Sequence, residues 1–169
     1  LSTIGIETKK FNNLINNKIK ETQTDINIDI KSVKFKFDVT DLNIFLETLN
    51  PLINYKRVSI PVKNLKVYID FFSLIKTSPK INKVSLVLSE LDIDELKKLS
   101  VIIKPSNFRS LINNNIKEGK IFSELNIFFD GNNSLQNFIA KGSVTNFQMK
   151  ITDEILLQNS NFNFFSDKS

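Results

Sequence analysis

Cysteine, histidine and tryptophan are all absent from this chain of 169 residues, and methionine occurs once. Without cysteine or histidine there is no thiol nucleophile, no imidazole base, no disulfide and none of the common zinc or haem ligand sets. Most familiar enzyme chemistries leave with them, and the reading is of a protein that is not an enzyme and carries no metal or cofactor. Long hydrophobic runs are missing too. The purely apolar stretches reach about three residues, far short of the ~20 that a membrane-spanning helix needs. Glycine and proline number four each, scattered from Gly5 to Gly142 without forming a linker, so nothing marks an internal domain boundary and residues 1–169 read as one domain.

What remains is 41% hydrophobic and 24% charged, ordinary for one globular domain with a core. The 23 Lys+Arg exceed the 18 Asp+Glu, for a formal charge of +5. Only Arg57 and Arg109 are arginines, and the lysines accompany abundant Asn, Ile and Phe, as AT-rich coding would give. Leu1 begins the chain without an initiator methionine or a signal-like apolar region, and Ser169 closes it just after Phe162 to Phe165, so a longer parent protein is expected.

Phe11, Leu14, Ile15 and Ile19 recur at helical spacing behind Thr8, a candidate N-cap, which predicts an amphipathic helix over 8–20. From Asp25 the apolar period becomes two. Ile26, Ile28 and Ile30, then Val33, Phe35, Phe37 and Val39, alternate with polar residues; the three-residue step from Ile30 to Val33 requires a bulge or a bend at Lys31-Ser32. The alternation returns in Leu42/Ile44/Leu46, Val58/Ile60/Val62, Leu65/Val67/Ile69/Phe71, Val84/Leu86/Leu88, Leu125/Ile127/Phe129, Phe138/Ala140/Gly142/Val144 and Phe162/Phe164. Asp130-Gly131-Asn132-Asn133 reads as a hairpin turn. Asp94 to Ile103, with Leu96, Leu99 and Ile103 on one face, and a segment after Pro105 with Phe108, Leu111 and Ile112 read as a helical pair. The fold class is therefore α+β: a mainly antiparallel amphipathic β-meander with an N-terminal helix and a central helical pair.

Candidate chemical motifs dissolve on inspection. Gly119-Lys120 lacks the upstream glycine and the hydroxyl residue of a phosphate loop. Asp92, Asp94 and Glu95 suit a helix N-terminus better than a calcium or acid/base cluster. Phe35 and Phe37 alternate with Lys34 and Lys36, which separates rings from cations and argues against a nucleic-acid platform. The apolar strand face exceeds what few short helices can cover, and an alkyl chain is the ligand such a surface suits, with ~0.8 kcal/mol per methylene withdrawn from water.

Ile4-Gly5-Ile6-Glu7-Thr8-Lys9-Lys10-Phe11-Asn12-Asn13-Leu14-Ile15 and the strand from Ile26 to Val39 resemble the start of the periplasmic part of the AsmA-like proteins (the AsmA, TamB and YhdP group). The resemblance extends through Asn50-Pro51 and Tyr55, Leu65 to Leu74, Leu91-Asp92-Ile93, Glu118-Gly119-Lys120-Ile121, and the hairpin from Phe129-Asp130-Gly131 to Gly142-Ser143-Val144. It covers nearly the whole chain through hydrophobic patterning rather than catalytic motifs, and the scarcity of glycine departs from many relatives. It implies a sheet curled into a hydrophobic groove, similar to the bridge-like lipid transfer proteins. The segment would lie in the periplasm of a Gram-negative envelope, held to the inner membrane by an anchor outside this chain. It would pass phospholipid acyl chains between inner and outer membranes, with envelope proteins as possible partners and no nucleic acid. The groove-facing positions would be Ile28, Phe35, Phe37, Ile44, Leu46, Ile60, Val67, Ile69, Val84, Leu86, Leu88, Ile127, Phe129 and Val144. A scaffold for outer-membrane protein assembly or secretion, as proposed for the TamB branch, is the alternative, with sheet edges pairing to client strands.

Overall fold

The structure is a computed structural model and describes residues 3–8, 26–30, 32–38, 43–56, 58–70, 73, 80–101, 107–132 and 134–168. Its eleven strands are β1 (Thr3–Thr8), β2 (Ile26–Asp29), β3 (Val33–Asp38), β4 (Asn43–Leu49), β5 (Leu52–Tyr55), β6 (Val58–Ile69), β7 (Ile81–Leu88), β8 (Leu91–Asp92), β9 (Ile116–Phe129), β10 (Leu135–Lys150) and β11 (Leu156–Asp167). Between β8 and β9 come helices α1 (Ile93–Ser100) and α2 (Asn107–Asn114). The strands form one open sheet in the order β1-β3-β4-β6-β7-β9-β10-β11, with β2 and β5 in line with β3 and β4, and β8 laid on β9. Every pairing is antiparallel. The meander predicted from period-two patterning is present, as is the helical pair.

The helix expected over 8–20 falls outside the described residues except for Thr8. That residue is the last of β1, paired with Val33. The two strands read separately at 58–62 and 65–71 are one strand, β6. The reason lies in how the sheet bends. Lys34↔Glu47 in β3–β4 and Ile28↔Ile53 in β2–β5 keep one register, as do Leu49↔Asn64 in β4–β6 and Leu52↔Pro61 in β5–β6. Thus β2–β3 and β4–β5 are each a long strand bent in the middle, without an inserted residue. Asn50, at a positive φ of 47°, donates its N–H to the Lys63 carbonyl at 3.0 Å and holds the bend against β6.

On each of the three bent strands a buried pair three residues apart straddles the bend: Ile30 and Val33, Thr48 and Pro51, Val62 and Leu65. The inward parity therefore changes along one line across the sheet. On β6 the change coincides with a register shift against β7 between Val62 and Asn64. Ile53, Val62 and Leu65 form the buried core beside this line, packed by Ile28, Ile60, Val67, Val84, Leu86 and Leu88. Burial of each large aliphatic side chain contributes about 1.5–3 kcal/mol.

Ladder registers define the two faces. Phe35, Leu46, Val67, Val84, Ile127 and Phe138 oppose one another in a single row on the apolar face. The row on the other face runs Lys36, Phe45, Tyr68, Lys83, Phe128. The expected separation of rings from lysines holds on β3 and fails on its neighbours, because Phe45, Tyr68 and Phe128 take the lysine-bearing parity. Lys66 Nζ lies 5.5 Å from the Phe45 ring centre and Lys83 Nζ 4.3 Å from that of Tyr68 and 6.0 Å from that of Phe128. The chain's own cations thus cover these rings, each contact contributing roughly 0.5–1 kcal/mol where exposed.

Glu47 is the buried anion of this polar face. Burial raises its pKa, but hydrogen bonds from Lys36 and from Asn64 (2.9 Å), with the charges of Lys36 and Lys66, outweigh that and hold it below its ordinary 4.5. A depressed carboxyl pKa contributes stability above the unfolded value and loses it as pH falls through the folded one. Glu47→Gln should therefore lower stability at neutral pH and flatten the decline below about pH 4.5, as urea melts across pH 3–7 would measure; parallel curves for the two proteins would refute the assignment.

Candidate functional site

The short strand β8 pairs Leu91 with Ile121 and Asp92 with Lys120, which starts α1 directly above β9. Asp92 Oδ1 accepts from the Glu95 backbone N–H at 2.8 Å, and Glu95 Oε2 accepts from the Asp92 N–H at 3.1 Å. This reciprocal cap is worth about 1 kcal/mol, and with Asp94 and Glu95 in the first turn and Lys97 and Lys98 in the last the helix dipole is matched at both ends. The acidic trio read from the sequence as a helix start serves that role, one residue earlier than the predicted boundary. Among the described residues no three carboxylates come together to hold a metal ion. Lys120, hydrogen-bonded to Glu90 at 2.8 Å, is raised above its ordinary pKa by that partner.

At the far end of α2, Asn115 donates its N–H to the Leu111 carbonyl (3.0 Å) and its side-chain amide to the Lys150 carbonyl (2.9 Å). Lys150 in turn donates its N–H to the Asn115 carbonyl at 2.8 Å, so the helix end is clamped to β10.

Between the helical pair and the sheet is a cavity of about 650 Å³, within the ~300–1,000 Å³ common for ligand pockets. Ile93, Leu96 and Leu99 of α1 and Leu111 and Ile112 of α2 form its roof. Ile60, Leu88, Leu91, Ile116, Ile121, Val144, Phe147, Phe162 and Phe164 form the opposite wall, with Gly119. Asp92 and Ser123 are the two polar side chains of the lining, and the Asp92 carboxylate is already engaged as the cap. The wall is therefore hydrocarbon, with an edge-to-face pair of Phe147 and Phe162 whose centroids lie 5.3 Å apart.

Of the positions expected to face a groove, Ile60, Leu88 and Val144 line this cavity. Ile28, Val67, Val84 and Leu86 pack on the core cluster. Phe35, Leu46 and Ile127 lie in the apolar row with Val67 and Val84, while Phe37, Ile44 and Ile69 occupy the adjacent row; Phe129 pairs with Leu135 at the end of β9. Of the helical apolar residues Leu96, Leu99, Ile103, Phe108, Leu111 and Ile112, four (Leu96, Leu99, Leu111 and Ile112) look onto the sheet, and Ile103 lies outside the described residues. The aromatic wall was harder to find. Phe147 is out of phase with Val144 because the β10–β11 register shifts between them and Asn146 takes a positive φ of 51°.

No protein-family model matches the chain, and neither the curated proteins nor the solved structures contain a match to it.

Proposed function

We propose that this chain is part of a hydrophobic β-groove that shields acyl chains and supports phospholipid transport between the inner and outer membranes of a Gram-negative envelope, as in the AsmA-like proteins it resembles. The observation that carries the reading is the 650 Å³ cavity with its nearly all-hydrocarbon wall. A sixteen-carbon acyl chain withdrawn from water gains on the order of ten kcal/mol, and such a surface can supply this without a catalytic group. The polar headgroup would remain at the open side, since only Asp92 and Ser123 interrupt the apolar lining. Apolar rows extending from Val144 toward Phe35 would continue the path across the open sheet. Attachment to the inner membrane would come from an anchor outside this chain, as the resemblance implies.

The test is native mass spectrometry of the purified chain, followed by uptake of a fluorescent phosphatidylethanolamine from donor vesicles. Copurified phospholipid displaced by the fluorescent lipid is the expected result. A lipid-free chain that takes up no label from vesicles would overturn the proposal.

A further inference from the structure

The polar face of the sheet has a recess of its own. It holds about 230 Å³, below the ~300–1,000 Å³ of common ligand pockets and so the size of an ion or a headgroup. Lys66 of β6, Lys83 and Ser85 of β7, and Glu124 and Asn126 of β9 line it, beside the Tyr68 ring. These are inner strands, each paired on both sides. Lys66, Ser85 and Asn126 stand opposite one another in a single ladder row, with Lys83 two residues along β7. Leu88 and Ser123 of the acyl-chain cavity have the opposite parity on β7 and β9, so the two spaces lie on opposite faces of the sheet.

The carboxylates of this region are already answered by lysines outside the recess. Glu124 Oε2 bridges Lys141 at 3.0 Å, and Glu47, opposite Lys66 in the ladder, is paired with Lys36. Lys66 Nζ stands 3.7 Å from Glu47, past hydrogen-bond range, and Lys83 has no carboxylate partner among the described residues. Lys83 is held instead over Tyr68 and Phe128, whose rings position an ammonium group without neutralising it. Two positive charges are therefore left over in the recess. Ser85 Oγ donates to Asn126 Oδ1 at 2.5 Å, which fixes that amide with its NH₂ as a donor, and the NH₂ has no acceptor among the described residues.

We propose that this recess binds a phosphate-type oxyanion, either free or as the headgroup of an anionic lipid. Lysine ammonium groups are point donors that do not fork onto a planar carboxylate as arginine does. Two of them with an amide, arriving from three strands, suit a tetrahedral anion. The proposal does not rest on the acyl-chain reading, because it uses the other face of the sheet.

Inorganic phosphate, titrated into the isotope-labelled chain with chloride balancing the ionic strength, should shift the amide signals of Ser85, Asn126 and their ladder neighbours, with Kd on the order of 1 mM. Lys83→Gln and Asn126→Asp should each weaken binding about tenfold or more. Asn126→Asp keeps an oxygen acceptor for Ser85 and puts a carboxylate where the donor was, so its circular-dichroism spectrum should match the parent's; if it does not, Lys83→Gln decides. Lys98→Gln, the same loss of charge at an exposed position on α1, should bind as the parent does. Vesicles of phosphatidic acid in phosphatidylcholine then separate the two sources. Co-sedimentation abolished by Asn126→Asp assigns a lipid headgroup. A chain that binds phosphate but stays in the supernatant, or sediments equally well with Asn126→Asp, assigns the free anion. Absence of phosphate-induced shifts, shifts scattered over the surface lysines, or undiminished phosphate binding by either folded variant would each overturn the proposal.

Discussion

Leu111→Asp should abolish acyl-chain uptake while leaving the melting temperature nearly unchanged, whereas Ile112→Ala beside it should do the reverse. Both side chains line the cavity. Leu111 is 37% accessible, so a carboxylate there can keep its hydration when the cavity is empty and loses it only when a chain enters. Desolvating an unpaired polar group costs about 1–3 kcal/mol on mutational scales, a tenfold or greater loss of affinity. Ile112 has no accessible surface, and truncating it leaves a void that the clamped end of α2 cannot fill. The usual cost is about 2–5 kcal/mol, a drop in melting temperature on the order of 10 °C. Lipid titration and thermal melts on both variants would separate the outcomes. If Leu111→Asp unfolds the chain, the space under the helices is ordinary core; if it binds lipid as well as the parent, the acyl chain lies elsewhere.

The sequence pattern was most legible where one face is buried along a straight strand. Val84/Leu86/Leu88 and Leu125/Ile127/Phe129 keep an inward period of two and fall within β7 and the C-terminal part of β9, whose earlier residues from Ile116 to Glu124 lie outside that reading. Asp130 likewise announces its hairpin: its carboxylate accepts from the N–H groups of Asn132 and Ser134 at 2.8 and 2.9 Å. The Ile30 to Val33 step was visible as a parity change, but a single strand cannot distinguish a bulge from a bend. Only the unshifted pairing with β4 and β5 identifies a bend shared by three strands. The same line made β6 look like two strands, because its inward set jumps from Val62 to Leu65. Strands β1, β5 and β8 escaped notice for another reason: each offers at most two apolar residues in alternation, too few to establish a period, and their existence depends on partners far away in the chain. The cavity was half legible. Its helical roof follows from the apolar spacing of α1 and α2 and two of its rings from the Phe162/Phe164 alternation, but Phe147 reaches the wall through a register shift beside Asn146 that no local pattern encodes.

Gly142→Ala should be among the most destabilising single-methyl additions in the chain. Gly142 sits mid-ladder in β10, opposite Ser123 of β9 on one side and Phe164 of β11 on the other. A Cβ built there overlaps the Phe122 carbonyl oxygen and stands 2.6 Å from Cζ of the Phe164 ring. The ring can turn aside, but the carbonyl belongs to the neighbouring strand and moves only with the ladder. Overpacking of this kind costs about 1–3 kcal/mol and more where backbone must shift. Two consequences can be read separately. Stability should fall by at least ~2 kcal/mol in urea melts, with faster hydrogen exchange concentrated in the β9–β10–β11 ladders. Phe164, displaced from its place over the glycine, should also change the cavity wall it forms and weaken lipid binding in whatever fraction stays folded. Adding Phe164→Ala to the variant decides which clash dominates: rescue would point to the ring, and failure to rescue would point to the Phe122 carbonyl, as the geometry predicts. A Gly142→Ala chain within ~0.5 kcal/mol of the parent would mean that the strands can part at this point without cost, and the close approach of β9, β10 and β11 would lose its role in shaping the cavity.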